Sequence, residues 1–310
     1  MLSSPAREQA RRLPLEPGVY RFRAVDGTVL YSGRATALRS RVGSYFSDGH
    51  RRPRLARMTA RIDRVEALVC TSVHEACWLE RNLHERSLPR WNRVPGGQEV
   101  PVFIEVNPGP GRPGLALRHD RCGSGLVFGP YLGGWKVRTA LSGLQRAVPL
   151  GHSGTALSSS EQQFAELRGV RAVDRERLLA QVLGVLTGEP GAISSARAEL
   201  VRLRDVASAQ ERYEQAAQLD TEVGCLDWVT SIQRVTSTRL RTGADPVDAV
   251  AVGWRDGVLV RFEIRGGRLD GWRQRLCSAA GARRALAASP PEWFDFATAN
   301  AALAARLLQT

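Results

Sequence analysis

Alternating apolar and polar positions over residues 13–94 predict one compact α/β segment. Residues 18–25 and 28–33 have the pattern of two strands. A two-residue hairpin turn is predicted between them at Asp26-Gly27, because both residues tolerate the positive φ angles that such a turn requires. The elements predicted next are a helix over 34–46, a short helix over 55–62, a strand over 65–71 and a helix over 73–88.

Clusters of glycine and proline divide the remaining chain. Residues 95–160 are predicted to form a connecting module of strands and one helix, which closes with a flexible link over 151–160. Residues 161–235 have helical periodicity, with a helical hairpin over about 197–232.

The last predicted segment, residues 236–310, consists of a β-hairpin around Asp256-Gly257 and a terminal helix. The fold class that follows for the whole chain is mixed α/β. Its first segment, 13–94, is expected to form a small, mainly antiparallel sheet flanked by helices.

Two neighbouring stripes run along the predicted helix over 34–46 when it is wound at about 3.6 residues per turn. One stripe is apolar and would pack against a core. The other carries two cations and a phenol, from Arg34, Arg41 and Tyr45. Many amphipathic helices have a solvated arginine face beside a core face, so this pattern does not indicate a site by itself.

Glu80 lies inside the apolar stripe of the predicted helix over 73–88, between Ala76 and Leu83. A carboxylate in such a position loses its water and needs a compensating partner. An arginine or a divalent cation would serve, and the sequence leaves both alternatives open.

The cations, the phenols and the carboxylate belong to one predicted fold, with Tyr20 and Tyr31 on the two hairpin strands. This set of groups suits hydrolysis of a phosphodiester. A carboxylate-bound Mg²⁺ would neutralise the phosphate and the leaving oxygen. An arginine would stabilise the charge of the transition state, and a phenol would orient or deprotonate the attacking water.

The formal charge of +13 and the pI of about 10.7 favour a polyanionic partner, nucleic acid first. Lys136 is the only lysine among 44 basic residues, so a general preference for arginine accounts for part of this charge. Five widely spaced cysteines without a CxxC pair predict reduced thiols and a cytoplasmic location. We expect no membrane association, because no apolar run approaches the roughly 20 residues that a span needs.

Five fragments in register resemble the GIY-YIG nuclease family. They are PGVY, LYSGRA, LRSRVGSYF, LERNL and PRWN, within about 80 residues. The most similar version of this domain is the one at the start of the UvrC excinucleases, the nucleases of bacterial nucleotide excision repair. The resemblance implies a GIY-YIG domain over 13–94 and a DNA endonuclease that uses one divalent cation, Mg²⁺ or Mn²⁺.

The resemblance also implies a role for each matching residue. Tyr20 and Tyr31 match the two motif tyrosines, the second a proposed general base, and Glu80 matches the single metal-binding glutamate. The other catalytic or supporting matches are Arg34, Arg41, Tyr45 and Asn92. Ser32 replaces an apolar family residue, which we expect to matter little. Arg34 replaces a lysine, and a planar guanidinium contacts a phosphate differently from an ammonium.

The resemblance continues beyond residue 94. Residues 128–150 resemble a connecting region in which the family commonly carries cysteines that hold an iron–sulfur centre. No cysteine lies between Cys122 and Cys225, so no iron–sulfur cluster is expected. Residues 207–226 resemble the UVR motif, a helical hairpin that docks on the UvrB helicase. The matching partner-binding positions are Tyr213, Glu214, Ala216, Ala217 and Leu219.

One departure weakens the second match, because the Arg-Asp pair that usually follows the UVR core is absent and the chain has Asp220 and Thr221. A plain amphipathic hairpin therefore stays an alternative to a docking site.

The function predicted from these features is a single incision on the 3′ side of a lesion in damaged duplex DNA, with a UvrB-like helicase as partner. The ribonuclease H-like and helix-hairpin-helix domains of the full-length family members have no room in 310 residues, so we expect a shortened homologue. Two alternatives stay open. One is a non-catalytic adaptor that binds DNA or the helicase, and the other is a structure-specific nuclease for branched DNA.

Overall fold

The structure, a computed structural model, describes residues 5–47, 53–95, 99–120, 125–231, 248–265 and 268–309. The helices are α1 Pro5–Arg12, α2 Leu38–Gly43, α3 Pro53–Thr59, α4 Val73–Arg86, α5 Gly134–Ala147, α6 Ser159–Leu167, α7 Arg175–Thr187, α8 Pro190–Ala209, α9 Tyr213–Thr230, α10 Ala279–Ala287 and α11 Phe294–Leu308. The strands are β1 Gly18–Arg23, β2 Val29–Ala35, β3 Arg64–Val69, β4 Pro101–Asn107, β5 Gly114–Arg118, β6 Leu126–Leu132, β7 Ala249–Arg255, β8 Val258–Arg265 and β9 Arg268–Leu276.

Three antiparallel sheets organise these elements, with strand orders β2-β1-β3, β5-β4-β6 and β7-β8-β9. The predicted mixed α/β fold class is therefore confirmed. The described residues form two compact units, each with its own core. Unit 1 comprises residues 5–95 and 248–309, and unit 2 comprises residues 99–231.

The first sheet of unit 1 places β2 at its edge, because β1 lies between β2 and β3. Alternate residues of β1 point to opposite faces, so Tyr20 and Phe22 share one face. Both are fully buried there in a core that includes Leu38 and Val42 of α2 and Met58 of α3. The amphipathic α2 thus packs against the aromatic face of the sheet.

The loop between β1 and β2 is longer than the predicted two-residue turn, and that prediction is wrong. Gly27 N–H donates to Ala24 O (2.9 Å), and Ala24 N–H donates to Thr28 O (3.0 Å). Gly27 has a positive φ of 82°, whereas Asp26 does not, and the side chain of Asp26 accepts the Thr28 N–H (2.8 Å).

The second predicted hairpin turn, at Asp256-Gly257, is confirmed. Both residues have positive φ, 46° and 82°, and β7 and β8 pair directly on either side of them.

The predicted helix over 34–46 is wrong at its start. Strand β2 runs to Ala35, and only Leu38–Gly43 are helical. Pairing with Val19 of β1 holds Arg34 in the sheet, where the backbone hydrogen bonds of the ladder outweigh the helical periodicity of the side chains. Arg34 and Arg41 therefore do not share a helix face.

Helix α4 contacts both the first sheet and the C-terminal strand β9. Asn82 Nδ2 donates to Leu269 O (2.9 Å), and Arg86 Nη1 lies 2.5 Å from Glu263 Oε2. Helix α11 packs on β7 so closely that a Cβ at Gly253 would lie 1.9 Å from Ala297 O. The C-terminal segment thus completes the unit that carries α4.

Unit 2 packs the sheet β5-β4-β6 against α5, with the α8–α9 hairpin on α5. Glu222 of α9 is fully buried and accepts hydrogen bonds from Arg146 Nε (3.0 Å) and Ser142 Oγ (2.9 Å) of α5. The predicted helical hairpin is present. The stretch predicted as a link contains a 3₁₀ turn, Leu150–Ser153, and the Ser158 cap of α6.

One prediction depends on a residue outside the described ranges, and another concerns membrane association. Cys122, on which the expectation of no iron–sulfur cluster partly depends, lies outside the described residues. Among the described helices, no stretch combines the length and the apolar character that crossing a bilayer requires.

Candidate active site

Three phenols and one phenyl ring meet on the aromatic face of the first sheet. Tyr20 Oη lies 2.9 Å from Tyr45 Oη. The ring centroids of Tyr31 and Tyr45 are 5.9 Å apart, and those of Tyr20 and Tyr31 are 6.2 Å apart. Phe22 packs edge-on against Tyr45 at 5.1 Å. Tyr20 and Tyr45 are buried, whereas Tyr31 is only partly covered.

The β1–β2 register produces this cluster. Phe22 lies opposite Tyr31, and Tyr20 lies opposite Gly33, so all four positions share a face. A Cβ at Gly33 would lie 2.9 Å from Tyr20 Oη and 3.1 Å from Tyr31 Cε1. The glycine of the second motif phrase therefore leaves the space that the two phenols occupy.

The outer backbone edge of β2 is bonded by groups that follow it in sequence rather than by a fourth strand. Asn92 accepts the Ser32 N–H at Oδ1 (3.1 Å) and donates from Nδ2 to Ser32 O (2.8 Å). Trp91 N–H donates to Leu30 O (3.1 Å). One step further along the edge, Arg34 N–H donates to Glu80 Oε1 (3.2 Å). Asn92 thus fixes the strand on which Tyr31 lies.

Glu80 is 8% exposed, which makes it one of the most buried carboxylates of unit 1. Its Oε2 lies 3.6 Å from Arg34 Nη1, an ion-pair distance that is longer than a hydrogen bond. Arg34 Nη1 also contacts the Sγ of Cys77, one turn before Glu80 on α4. Of the two partners that the sequence left open for this carboxylate, the arginine is present in the structure.

Arg41 of α2 brings positive charge to the phenol cluster. Its Cζ lies 5.2 Å from the ring centroid of Tyr45, a cation–π distance. Burial lowers the pKa of Arg41, but the neighbouring phenols, Tyr20 first, raise it by more, so the net shift is upward. Arg41 is therefore a permanent cation beside these hydroxyls.

The pKa values of two phenols are raised. For Tyr20 the main cause is burial, followed by the charges of Tyr45 and Tyr31, and Arg41 opposes the shift. For Tyr31 burial is again the first cause, followed by its hydrogen bond and charge interaction with Tyr45. Arg41 lowers the pKa of Tyr31 and Glu80 raises it. Both phenols are therefore neutral near pH 7 in the protein alone.

The donor set around Glu80 fits a hydrated divalent cation rather than a closed protein cage. No group of three or more His, Cys, Asp or Glu side chains in the described ranges could hold a metal. Mg²⁺ commonly keeps several waters and binds through one or two carboxylates and the phosphates of its substrate. A single carboxylate, Glu80, matches this preference of Mg²⁺, and Mn²⁺ accepts the same oxygen ligands.

Sequence reasoning missed His84, Cys77 and Gly33 at this site and gave too little weight to Ser32. Ser32 Oγ lies 2.8 Å from Nε2 of the buried His84, so the residue that was expected to matter little ties β2 to α4. Cys77, Glu80 and His84 follow at spacings of three and four, which places them on one helix face. That spacing in the sequence could have indicated that the three residues share a face, and Gly33 belongs to the second motif phrase, LYSGRA.

The predicted partner-binding residues lie in unit 2 and do not share one surface. Tyr213 is 67% exposed at the start of α9, and Glu214 and Ala217 are exposed beside it. Ala216 is half-buried, and Leu219 is 1% exposed in the core of unit 2. Leu219 therefore stabilises the hairpin and is not available to a partner in this conformation.

Comparison with protein families matches part of this chain to one of them. The model of the UvrC-like GIY-YIG domain matches residues 16–93. These residues include every predicted site residue of unit 1.

Curated relatives match over a longer stretch. UvrABC system protein C of Aromatoleum aromaticum is 31% identical over 283 residues, which cover 88% of this chain and 46% of the relative. The protein of the same name from Chlorobium chlorochromatii is 28% identical over 285 residues, covering 85% and 44%. This chain thus spans less than half the length of these relatives.

Among solved structures, the GIY-YIG N-terminal endonuclease domain of UvrC from Thermotoga maritima, bound to magnesium, is 32% identical. The match covers 28% of this chain and 93% of that one, with a TM-score of 0.26.

Proposed function

From the match of residues 16–93 to the UvrC-like GIY-YIG domain, we infer that this chain is a DNA endonuclease that hydrolyses a phosphodiester bond. One observation carries the inference. The buried carboxylate of Glu80 lies at the edge of β2, close enough to Tyr31 for its charge to raise the pKa of that phenol. Carboxylate, phenol and arginine are the groups that metal-assisted phosphodiester hydrolysis uses.

Glu80 would hold one divalent cation, Mg²⁺ or Mn²⁺, through its carboxylate. The bound cation supplies neutralisation of the scissile phosphate and of the leaving oxygen. Arg34, which lies 3.6 Å from Glu80, is placed to bind a phosphate oxygen of the DNA beside that carboxylate. As a planar fork it can make two parallel hydrogen bonds, where a lysine makes point contacts.

Arg41 would stabilise the negative charge that develops on the phosphate in the transition state. It is exposed at the rim of the phenol cluster, so a substrate can reach its guanidinium. Its position against Tyr45 restricts the side chain and reduces the reorganisation that the reaction needs.

Among the phenols, Tyr31 is the one that could contact the attacking water. Tyr20 is fully buried and its hydroxyl bonds to Tyr45, whereas Tyr31 is partly exposed. Tyr31 would therefore orient the water as a neutral phenol. To accept the proton of that water it would first have to lose its own proton, and Arg41 assists this because it opposes the upward shift of the Tyr31 pKa. Tyr20 and Tyr45 would act as positioning residues.

Replacement of Glu80 by alanine tests this function. We expect Glu80→Ala to abolish cleavage of a labelled duplex in Mg²⁺ while it retains the fold and most DNA binding. Glu85→Ala is the matched control, because Glu85 is an exposed glutamate on the same helix, paired with Arg81 at 2.7 Å. Cleavage by Glu80→Ala at the rate of the Glu85→Ala control would remove Glu80 from the site.

We further propose that the incision falls on the 3′ side of a lesion in damaged duplex DNA during nucleotide excision repair. The curated relatives that match most of this chain support a role in excision repair, since they are UvrABC system C proteins. The exposed Tyr213 and Ala217 of α9 support a UvrB-like helicase as the partner that delivers the lesion. Mapping the cut on a duplex with one defined lesion, with and without the helicase, tests both. A cut that ignores the lesion in both cases would favour a nuclease for DNA structure.

A further inference from the structure

The sheet β7-β8-β9 of unit 1 has an arginine-rich outward face that the proposed hydrolysis does not use. Arg261 of β8 lies directly opposite Arg273 of β9, and Arg275 follows two residues later on the same face. All three side chains are exposed. Two like charges directly opposite each other on a sheet repel, at a Cβ separation of about 5 Å. Such a pair destabilises the strand pairing unless an anion compensates it.

The nearby carboxylates of the described chain are mostly engaged elsewhere. Glu263 Oε2 and Asp270 Oδ2 lie 2.5 Å and 3.2 Å from Nη1 of Arg86, which crosses from α4. Glu263 Oε1 lies 3.6 Å from Nε of Arg273, which keeps 76% of its side chain exposed.

Arg261 and Arg275 make no hydrogen bond or ion pair with any residue of the described ranges. The repulsion between the arginines is therefore only partly compensated within the described protein, by Glu263, which lies 3.6 Å from Arg273 and whose charge also acts on Arg261.

The same three arginines line one side of an open groove of ≈ 800 Å³. The groove is also lined by Val252 and Leu259 of the sheet, by Ala285 and Ala288, and by one carboxylate, Glu263. A negatively charged chain in this groove would lie against the guanidinium groups.

We propose that Arg261, Arg273 and Arg275 form a second binding surface for the phosphate backbone of DNA, separate from the site around Glu80. Guanidinium groups bind phosphate through paired hydrogen bonds, and three of them along one strand pair fit successive backbone phosphates. The choice of DNA as the polyanion rests on the proposed function.

Helix α4 carries both Glu80 and Arg86, which lie about 9 Å apart along the helix axis at 1.5 Å per residue. Glu80 lies in the middle of α4, and Arg86 at the end of the same helix pairs with Glu263 and Asp270 of the sheet that carries the arginines. DNA held on the arginines would be retained close to the nuclease site between encounters.

The salt dependence of DNA binding tests the inference on the full chain, with EDTA present so that no cleavage occurs. Each phosphate contact contributes about −0.9 to the slope of log K against log salt. The variant Arg261→Gln/Arg273→Gln/Arg275→Gln should lose roughly 2–3 from the magnitude of that slope for an undamaged labelled duplex, and the single variant Arg275→Gln roughly 1.

The matched control removes three arginines that are already paired with carboxylates. Arg177, Arg197 and Arg202 of unit 2 lie 3.2 Å from Asp174, 3.2 Å from Asp227 and 2.7 Å from Glu199. Their replacement by glutamine removes the same charge and should leave the slope close to that of the wild type. A slope for the β8–β9 variant equal to that of the control overturns the proposal. Loss of binding to an acidic protein by the same variant would not restore it, because the proposed ligand is DNA.

The readout separates this inference from the proposed nuclease. A chain that binds DNA through these arginines but never cuts it would refute the proposed function and leave the binding surface standing. If the wild-type chain cuts DNA and the β8–β9 variant keeps the wild-type salt slope, the proposed function stands and the binding surface is refuted.

Discussion

Gly33 sets the spacing of the phenol cluster through the atoms that it lacks. Tyr20 Oη and Tyr31 Cε1 lie where a Cβ would contact them, at 2.9 Å and 3.1 Å. Its φ is not in the left-handed region, so the backbone does not require glycine there. The requirement is space alone, which makes a small substitution a clean probe of ring position.

Gly33→Ala should displace one or both phenol rings by a few tenths of an ångström. We expect the rate of DNA incision to fall by roughly tenfold, less than the hundredfold loss that a misplacement of about 1 Å can cause. Gly43→Ala is the matched control, because a Cβ at Gly43 would meet nothing within 4 Å. Thermal unfolding of both variants should stay close to that of the wild type. An active Gly33→Ala protein would show that the phenols tolerate movement.

Single residues of the site could be predicted where the residue type itself carries the chemistry. The burial of Glu80 was predicted from one apolar stripe, and the structure confirms it. The strand position of Arg34 and the bond between Ser32 and His84 were not predicted, since both depend on which backbone edge faces α4. Periodicity describes one element at a time and carries no information about such pairings.

Helix α4 illustrates the same limit at the scale of elements. Every residue over 74–80 is buried, including His74 and Glu75, although the sequence predicts only one apolar stripe. The second covering surface is β9, which follows more than 180 residues later in the chain. Polar residues that contact β9, such as Asn82, look solvent-facing in the sequence and are buried in the structure.

The α8–α9 hairpin exposes its apolar residues at one end. Tyr213 is 67% exposed and Val206 is 42% exposed, while the middle of α9 is committed to the core of unit 2. A large aromatic side chain that stays in water at a hairpin tip is a suitable anchor for a protein partner. The docking surface that we expect is therefore centred on Tyr213 and Ala217, without Leu219.

Tyr213→Asp/Ala217→Asp should abolish incision that depends on a UvrB-like helicase, because two carboxylates would enter an apolar contact. Incision of naked DNA without the helicase should continue at its basal rate. Ser194→Asp/Ala198→Asp is the matched control, with the same charge and spacing at exposed positions of α8. Pull-down and incision are measured side by side. Normal stimulation of the Tyr213 and Ala217 variant would place recruitment elsewhere.

At the scale of the whole molecule, unit 1 is built from two chain segments that are separated by all of unit 2. Trp272 of the later segment joins them. Arg21 of β1 lies over its ring with Cζ at 3.8 Å from the centroid, and Arg21 Nη2 donates to its carbonyl oxygen (3.0 Å). Arg21 also pairs with the buried Glu66, and burial lowers the pKa of Arg21 to about 10, so it stays charged at neutral pH.

Trp272→Ala should therefore destabilise both segments of unit 1 and not only the sheet that contains it. The lost burial lowers the free energy of unfolding by about 3–5 kcal/mol. Hydrogen exchange resolved along the chain should increase in β1 and α4 as well as in β8 and β9. Leu200→Ala, at a fully buried position of unit 2, is the control and should increase exchange in α5, α8 and α9. Faster exchange in Trp272→Ala confined to residues 248–309 would mean that residues 5–95 keep their structure without support from the later segment.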